Sequence, residues 1–132
     1  MLSRRSILLI STAFFAGVSA PLLAFRGNAI KMFDTDNDGT LDLDEVKKAA
    51  SALFARLDRD HDGTLDRHEL AGRLSTRELT AADPDHDGTL SLDEYLAIVQ
   101  QRFNAANRDN DGTLDAKELD TPAGRALLRL LR

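Results

Sequence analysis

The feature that most constrains this chain is a stretch of twelve residues, Asp34-Thr-Asp-Asn-Asp-Gly-Thr-Leu-Asp-Leu-Asp-Glu45, with carboxylates at its first, third, fifth, ninth and twelfth positions. A hard cation takes six to eight oxygens, so a loop wrapped around one must turn alternate side chains inward and then reverse direction. Gly39, at the sixth position, permits the reversal because it lacks a Cβ. The expected oxygen donors are Asp34, Asp36, Asp38, the backbone carbonyl of Thr40, Asp42 directly or through water, and Glu45 with both carboxylate oxygens.

The pattern returns three more times. The second loop offers Asp58, Asp60, Asp62, Thr64, Asp66 and Glu69, and the third Asp83, Asp85, Asp87, Thr89, Ser91 and Glu94. The fourth offers Asn107, Asp109, Asp111, Thr113, Asp115 and Glu118. This is the ligand spacing of the EF-hand loop, which holds Ca2+ and similar ions. Loops one and two carry every expected acid, whereas Ser91 and Asn107 each replace a carboxylate with a neutral donor. Affinity follows ligand charge, so loops one and two are expected to bind more tightly than three and four, with the fourth weakest.

Charge is distributed accordingly. The formal net charge is −5, and of the 22 acidic residues only Glu78 and Asp120 lie outside the four loops. Without cations these carboxylates repel one another, and a core with six Phe, one Tyr and no Trp is small, so metal-coupled folding is expected. The acidity argues against a nucleic-acid partner. There is no cysteine, which excludes disulfides, thiolate metal sites and a cysteine nucleophile. His61 and His86, at the fourth position of their loops, and His68, at the eleventh, read as surface residues; no helical His pair supports a zinc site.

Residues 1–24 read as a secretory signal peptide. Arg4 and Arg5 precede an apolar run from Ile7 to Val18, and Ala20 or Ala24 ends a cleavage site; Pro21 would follow a cut at Ala20, which favours the cut after Ala24. The paired arginines resemble a twin-arginine signal. The expected location is periplasmic or secreted, with residues 25–132 as one metal-binding domain, and contact with a membrane is expected only if the segment is retained. The run, interrupted by Gly17 and Pro21, is short for a span of roughly 20 residues.

Loop starts at 34, 58, 83 and 107 lie 24, 25 and 24 residues apart, so the helix leaving one loop must also enter the next. Val46, Ala49, Ala50, Leu53, Phe54 and Leu57 form one apolar helical stripe, and Leu96, Val99, Phe103 and Ala106 another. Asn28 is placed to cap a helical turn over Ala29 to Phe33, with Ile30 and Phe33 inward. The middle linker is broken by Gly72, and Ser75 with Glu78 has the form of a capping box. A continuous helix of twelve residues separates its ends by about 18 Å, whereas a broken linker folds back. The expected fold is therefore an all-α compact bundle in which loops two and three sit side by side and loops one and four meet at the other end. Leu41, Leu65, Leu90 and Leu114, at the eighth positions, would form the short β contacts. Thr121 and Pro122 open a last helix, from which Leu127, Leu130 and Leu131 close the core.

Taken together, the four acidic loops at this spacing, the Asn that opens the fourth, the stretch Glu94-Tyr-Leu-Ala97, the approach Phe103-Asn-Ala-Ala-Asn107 and the tail Pro122-Ala-Gly124 resemble the lanmodulin family. These are small bacterial periplasmic EF-hand bundles that fold on binding lanthanide(III) ions and prefer them over calcium. The resemblance implies metal binding through the residues named above, with a weak fourth site. The family carries proline at the second position of its loops, a feature associated with discrimination between metals. Here only Pro84 keeps it, and Thr35, Arg59 and Arg108 stand at the other three positions.

Two cargoes follow, lanthanide(III) or Ca2+. Five carboxylates around a divalent ion leave excess repulsion that a trivalent ion offsets better, which favours a lanthanide carrier or buffer. The alternative is a calcium buffer or sensor; a sensor would present a Met-rich groove, and Met32 alone does not make one. A dockerin-like assembly module would use two repeats rather than four. Catalysis is not expected, because nearly every acid is committed to a loop. Tyr95, the only tyrosine, reads as a core residue.

Overall fold

The computed structural model describes residues 29–132. The proposed signal peptide and the Asn28 cap lie outside the described residues. Residues 29–33 are helical, with Ile30 buried and Phe33 packed against the core.

Six further helices follow. Helix α1 (Leu43–Leu57) and helix α4 (Leu92–Ala106) are the two long ones, of 15 residues each. Between them lie the short α2 (Arg67–Leu70) and α3 (Thr76–Ala81); after them come α5 (Ala116–Leu119) and α6 (Pro122–Leu128). Both long helices bury most of the stripe their sequence carries, with Ala49, Leu57 and Leu96 half-buried at its edges. In α1, Val46, Ala50, Leu53 and Phe54 are buried, and in α4 Tyr95, Val99, Phe103 and Ala106 are. Phe54 and Tyr95 meet edge to face, with ring centroids 5.7 Å apart, and so lock α1 to α4.

The fold is mostly helical, but not wholly. Four strands of two residues each, β1 (Leu41–Asp42), β2 (Thr64–Leu65), β3 (Leu90–Ser91) and β4 (Thr113–Leu114), make two antiparallel pairs. Leu41 lies opposite Leu114, and Leu65 opposite Leu90. All four leucines have no exposed surface, because each sits where two loops close over the end of the core.

The turn between α2 and α3 is sharper than a lone glycine requires. Ala71 takes a left-handed φ of 52° directly before Gly72 at 81°. For alanine this conformation is costly; here it ends α2, with the Ala71 N–H donating to the His68 carbonyl at 3.2 Å and the Arg73 N–H to the Leu70 carbonyl at 3.0 Å. Ser75 then starts α3 with a reciprocal capping box: its hydroxyl accepts from the Glu78 N–H at 3.1 Å, and the Glu78 carboxylate accepts from the Ser75 N–H at 2.7 Å.

Helix α6 closes the structure. Leu127, Leu128, Leu130 and Leu131 are buried, and Tyr95 donates its hydroxyl proton to the Leu130 carbonyl at 2.7 Å. Arg102 on α4 reaches both neighbours, donating to the Ala126 carbonyl at 2.7 Å and to Glu78 at 3.1 Å. Among the described residues, no helix is long and apolar enough to cross a membrane.

Candidate metal centres

Each loop begins where a helix ends. Asp58 and Asn107 are the C-caps of α1 and α4, so the first ligand position is fixed by the end of a rigid element. The chain then curls around that first side chain. Asp34 accepts from the Gly39 N–H at 2.9 Å, Asp58 from Gly63 at 3.0 Å and Asp83 from Gly88 at 2.7 Å. Gly39 has φ 83°, which a side chain would oppose.

Two features of the turn escaped the sequence reading. Position four, occupied by Asn37, His61, His86 and Asn110, is left-handed in every loop, with φ between 55° and 59°. Asn and His tolerate this region better than most residues, which accounts for their recurrence there. The histidines are exposed, consistent with surface residues. The ligand pattern assigns position seven only a backbone carbonyl. Its threonine hydroxyl in fact donates to the position-five aspartate in all four loops, Thr40 to Asp38 at 3.0 Å, Thr64 to Asp62 at 3.0 Å, Thr89 to Asp87 at 2.9 Å and Thr113 to Asp111 at 3.2 Å. The invariance of Thr across four otherwise varied loops was the available signal.

Each loop ends in a helix cap. Asp42, Asp66, Ser91 and Asp115 are the N-caps of α1, α2, α4 and α5, and each accepts from the backbone N–H of the glutamate three residues on. The glutamates answer: Glu45, Glu69, Glu94 and Glu118 accept from the N–H of their own caps. Position nine is therefore a structural group first, and a serine serves there as well as an aspartate.

The remaining carboxylates converge. Oxygens of Asp34, Asp36 and Glu45 lie within 4.8 Å of one another, as do those of Asp83, Asp85 and Glu94, and of Asp109, Asp111 and Glu118. Loop two brings four together, Asp58, Asp60, Asp62 and Glu69. Of the sequence-predicted donors, Asp38 and Asp87 stand outside these tightest groups, as do the position-nine residues. Asn107 contributes an amide. Oriented so that its oxygen accepts from the Gly112 N–H at 3.3 Å, its NH2 donates to Asp109 at 3.1 Å and Asp111 at 3.2 Å.

Crowded carboxylates perturb one another. A proton shared with Asp34 pushes Asp36 up to about 6. Desolvation, followed by a proton shared with Asp58, does the same to Asp60. Asp85 is raised through its bond to Asp83, which is correspondingly lowered. For Asp34, the raising effect of desolvation is outweighed by hydrogen bonds from the Gly39 N–H and from Asp36, and the carboxyl is lowered. The Thr64 N–H lowers Asp62, and the Thr113 N–H lowers Asp111. A site that holds protons against its own negative charge is one that a multivalent cation relieves. Oxygen-only, polyanionic donor sets of this kind fit hard cations rather than soft ones.

Comparison with known families agrees. Residues 27–53 match the EF hand domain family and residues 51–75 the EF hand family, which takes in loops one and two entire. The chain carries EF-hand domains. Loops three and four lie outside the matched segments and rest on their geometry, in which the threonine hydroxyl bond and the capping box of the first two loops recur. No curated protein matches the sequence.

Proposed function

We propose that this EF-hand chain is a non-catalytic binder of hard cations with four sites, acting as a periplasmic or secreted carrier or buffer similar to the lanmodulins. The observation that carries the reading is the convergence of three or four carboxylates in each loop, with Asp36 raised to about 6 by its bond to Asp34 and Asp60 raised to about 6 by desolvation and then its bond to Asp58. That excess negative charge favours a trivalent ion over a divalent one, since the attraction grows with cation charge while the repulsion it must offset is fixed. Lanthanide(III) is accordingly the proposed cargo, with Ca2+ the weaker competitor.

By charge, loops one and two lead. Loop four is weakest, because the Asn107 NH2 already occupies Asp109 and Asp111. Folding is coupled to binding: the same glutamates that close each loop also cap the helices, so a cation that holds Glu45 or Glu94 also holds the start of α1 or α4.

The test is a competition titration. Lanthanum and calcium are added separately at buffered free concentrations while helix content is followed by circular dichroism. Lanthanum is expected to fold the chain at far lower free concentration than calcium. Folding by both ions at comparable concentrations would reduce the reading to a calcium buffer.

A further inference from the structure

The helices and the loops carry opposite charge. Among residues 29–132, ten lysines and arginines lie outside the four loops against two acids, while the loops hold twenty acids against four basic residues. The strand pairs gather the loops at the ends of α1 and α4, which leaves the positive surplus on the helices. One part of that surplus adjoins apolar surface. Lys48, Ala52 and Arg56 follow one another at four-residue intervals on α1, so they share a face, and all three are exposed. With Met32, Phe33 and Leu131 they line a depression of about 240 Å³. Met32 stands 63% exposed there, next to an exposed Lys31. Among the described residues neither Lys48 nor Arg56 makes an ion pair, whereas Arg102 and Arg125 are both engaged.

We propose that this face of α1 docks on an anionic phospholipid surface when loop one holds a cation, with Lys48 and Arg56 against the lipid phosphates and Met32 in the interface. An exposed apolar side chain set among cations gains twice from such a surface, by burial and by attraction. A soluble polyanion would offer Met32 no apolar layer to enter. The condition on loop one follows from its place: Thr35 and the closing Glu45 line the same depression. While the loop is empty its acids repel lipid phosphates from this face, and a bound cation offsets them. Four trivalent ions would bring the loops from a net −16 to −4, against +8 on the helices. The inference rests on the reading of loop one as a metal site.

The test places the full chain with small bicelles of phosphatidylglycerol in phosphatidylcholine, doped with lipid that carries a nitroxide on its headgroup, and follows amide line broadening by NMR. Lanthanum is buffered at the lowest free concentration that fills loop one, reported by the Gly39 amide, so that the lipid phosphates stay free of metal. The amides of Lys48, Ala52 and Arg56 are expected to broaden more than that of Arg77, an exposed residue of α3 outside the depression. This contrast should vanish with chelator, with phosphatidylcholine alone, and at about 0.5 M salt. Arg56→Gln and Arg77→Gln remove the same charge. The first is expected to weaken the affinity for bicelles roughly fivefold and the second less than about twofold. Met32→Ala should weaken it as well. Equal broadening at Arg56 and Arg77 overturns the inference, because attachment through the apolar run of residues 7–18 or through net charge would give that result. Contrast that persists with chelator overturns it too, as does the absence of broadening once Gly39 reports a filled loop; in these cases metal binding stands. If the Gly39 signal does not respond to lanthanum, the proposed function falls and the inference with it.

Discussion

Asp42 and Glu45 each accept a hydrogen bond from the other's backbone, Asp42 from the Glu45 N–H at 2.8 Å and Glu45 from the Asp42 N–H at 3.1 Å. The pair belongs to two structures at once. It closes the first loop and it starts the 15-residue helix that carries the chain to the second. The same arrangement at Asp66 and Glu69, Ser91 and Glu94, and Asp115 and Glu118 makes every loop inseparable from the helix that leaves it.

Ser91 separates the two roles, because it caps α4 without bringing a charge. Ser91→Ala is expected to cost about 1 kcal/mol of stability through the lost cap, measured by thermal unfolding at saturating lanthanum. Ser91→Asp keeps the cap and should lower the free lanthanum needed to fill loop three, seen by NMR as an earlier midpoint for the Gly88 amide signal in a buffered titration.

The metal-free protein should respond to pH in two opposing ways. Asp36 and Asp60, raised to about 6 from an ordinary value of 3.8, add stability that is complete below 3.8 and lost as pH rises through about 6. Asp34, Asp62, Asp83 and Asp111 are lowered, so their contribution is present above 3.8 and lost as pH falls through their lower folded values. Helix content without metal is therefore expected to be greater near pH 5 than near pH 7.5, and to fall again in strong acid. Metal affinity runs the other way: at pH 5 a cation must displace protons from Asp36 and Asp60, so the folding midpoint in lanthanum should move to higher free metal than at pH 7.5.

The two apolar stripes, the Ser75 and Glu78 box, and the Thr121 and Pro122 start of the last helix were legible because each depends on residues close in sequence, where periodicity and capping chemistry act directly. The loop acids were legible for the same reason. The left-handed Ala71 was not, since alanine gives no local signal for the conformation it takes as the C-cap of α2. Nor were the roles of Thr40 and its counterparts. These depend on which hydrogen bonds a folded loop completes, and a ligand pattern read along the chain counts carboxylates without counting the N–H groups that compete for them.

Gly124 is legible only from the packing. A Cβ there would run into the Glu118 carbonyl and the Leu119 backbone, so α6 lies directly against α5 with no room for a side chain. Gly124→Ala is expected to destabilise the protein by about 1–3 kcal/mol, the scale of overpacking, despite the better helix propensity of alanine. Because the displaced backbone belongs to Glu118, loop four should also lose affinity. Thermal unfolding and the Gly112 signal during a lanthanum titration report the two effects separately.

Leu41 and Leu114 face each other across the pairing of β1 with β4, and both are fully buried. This two-residue ladder joins loop one to loop four through the backbone, so each loop's conformation bears on the other's. Leu114→Ala would leave a cavity at that junction, with an expected loss of about 2–5 kcal/mol. The loss should not stay within the loop that carries the substitution: the Gly39 midpoint in a lanthanum titration is expected to rise together with that of Gly112, while Gly63 and Gly88, in the other pair, move less. Met32→Ala, at a side chain 63% exposed, serves as the comparison and should leave thermal unfolding within about 0.5 kcal/mol of the unsubstituted protein. Equal shifts at all four glycines in Leu114→Ala would mean that the two loop pairs do not respond independently.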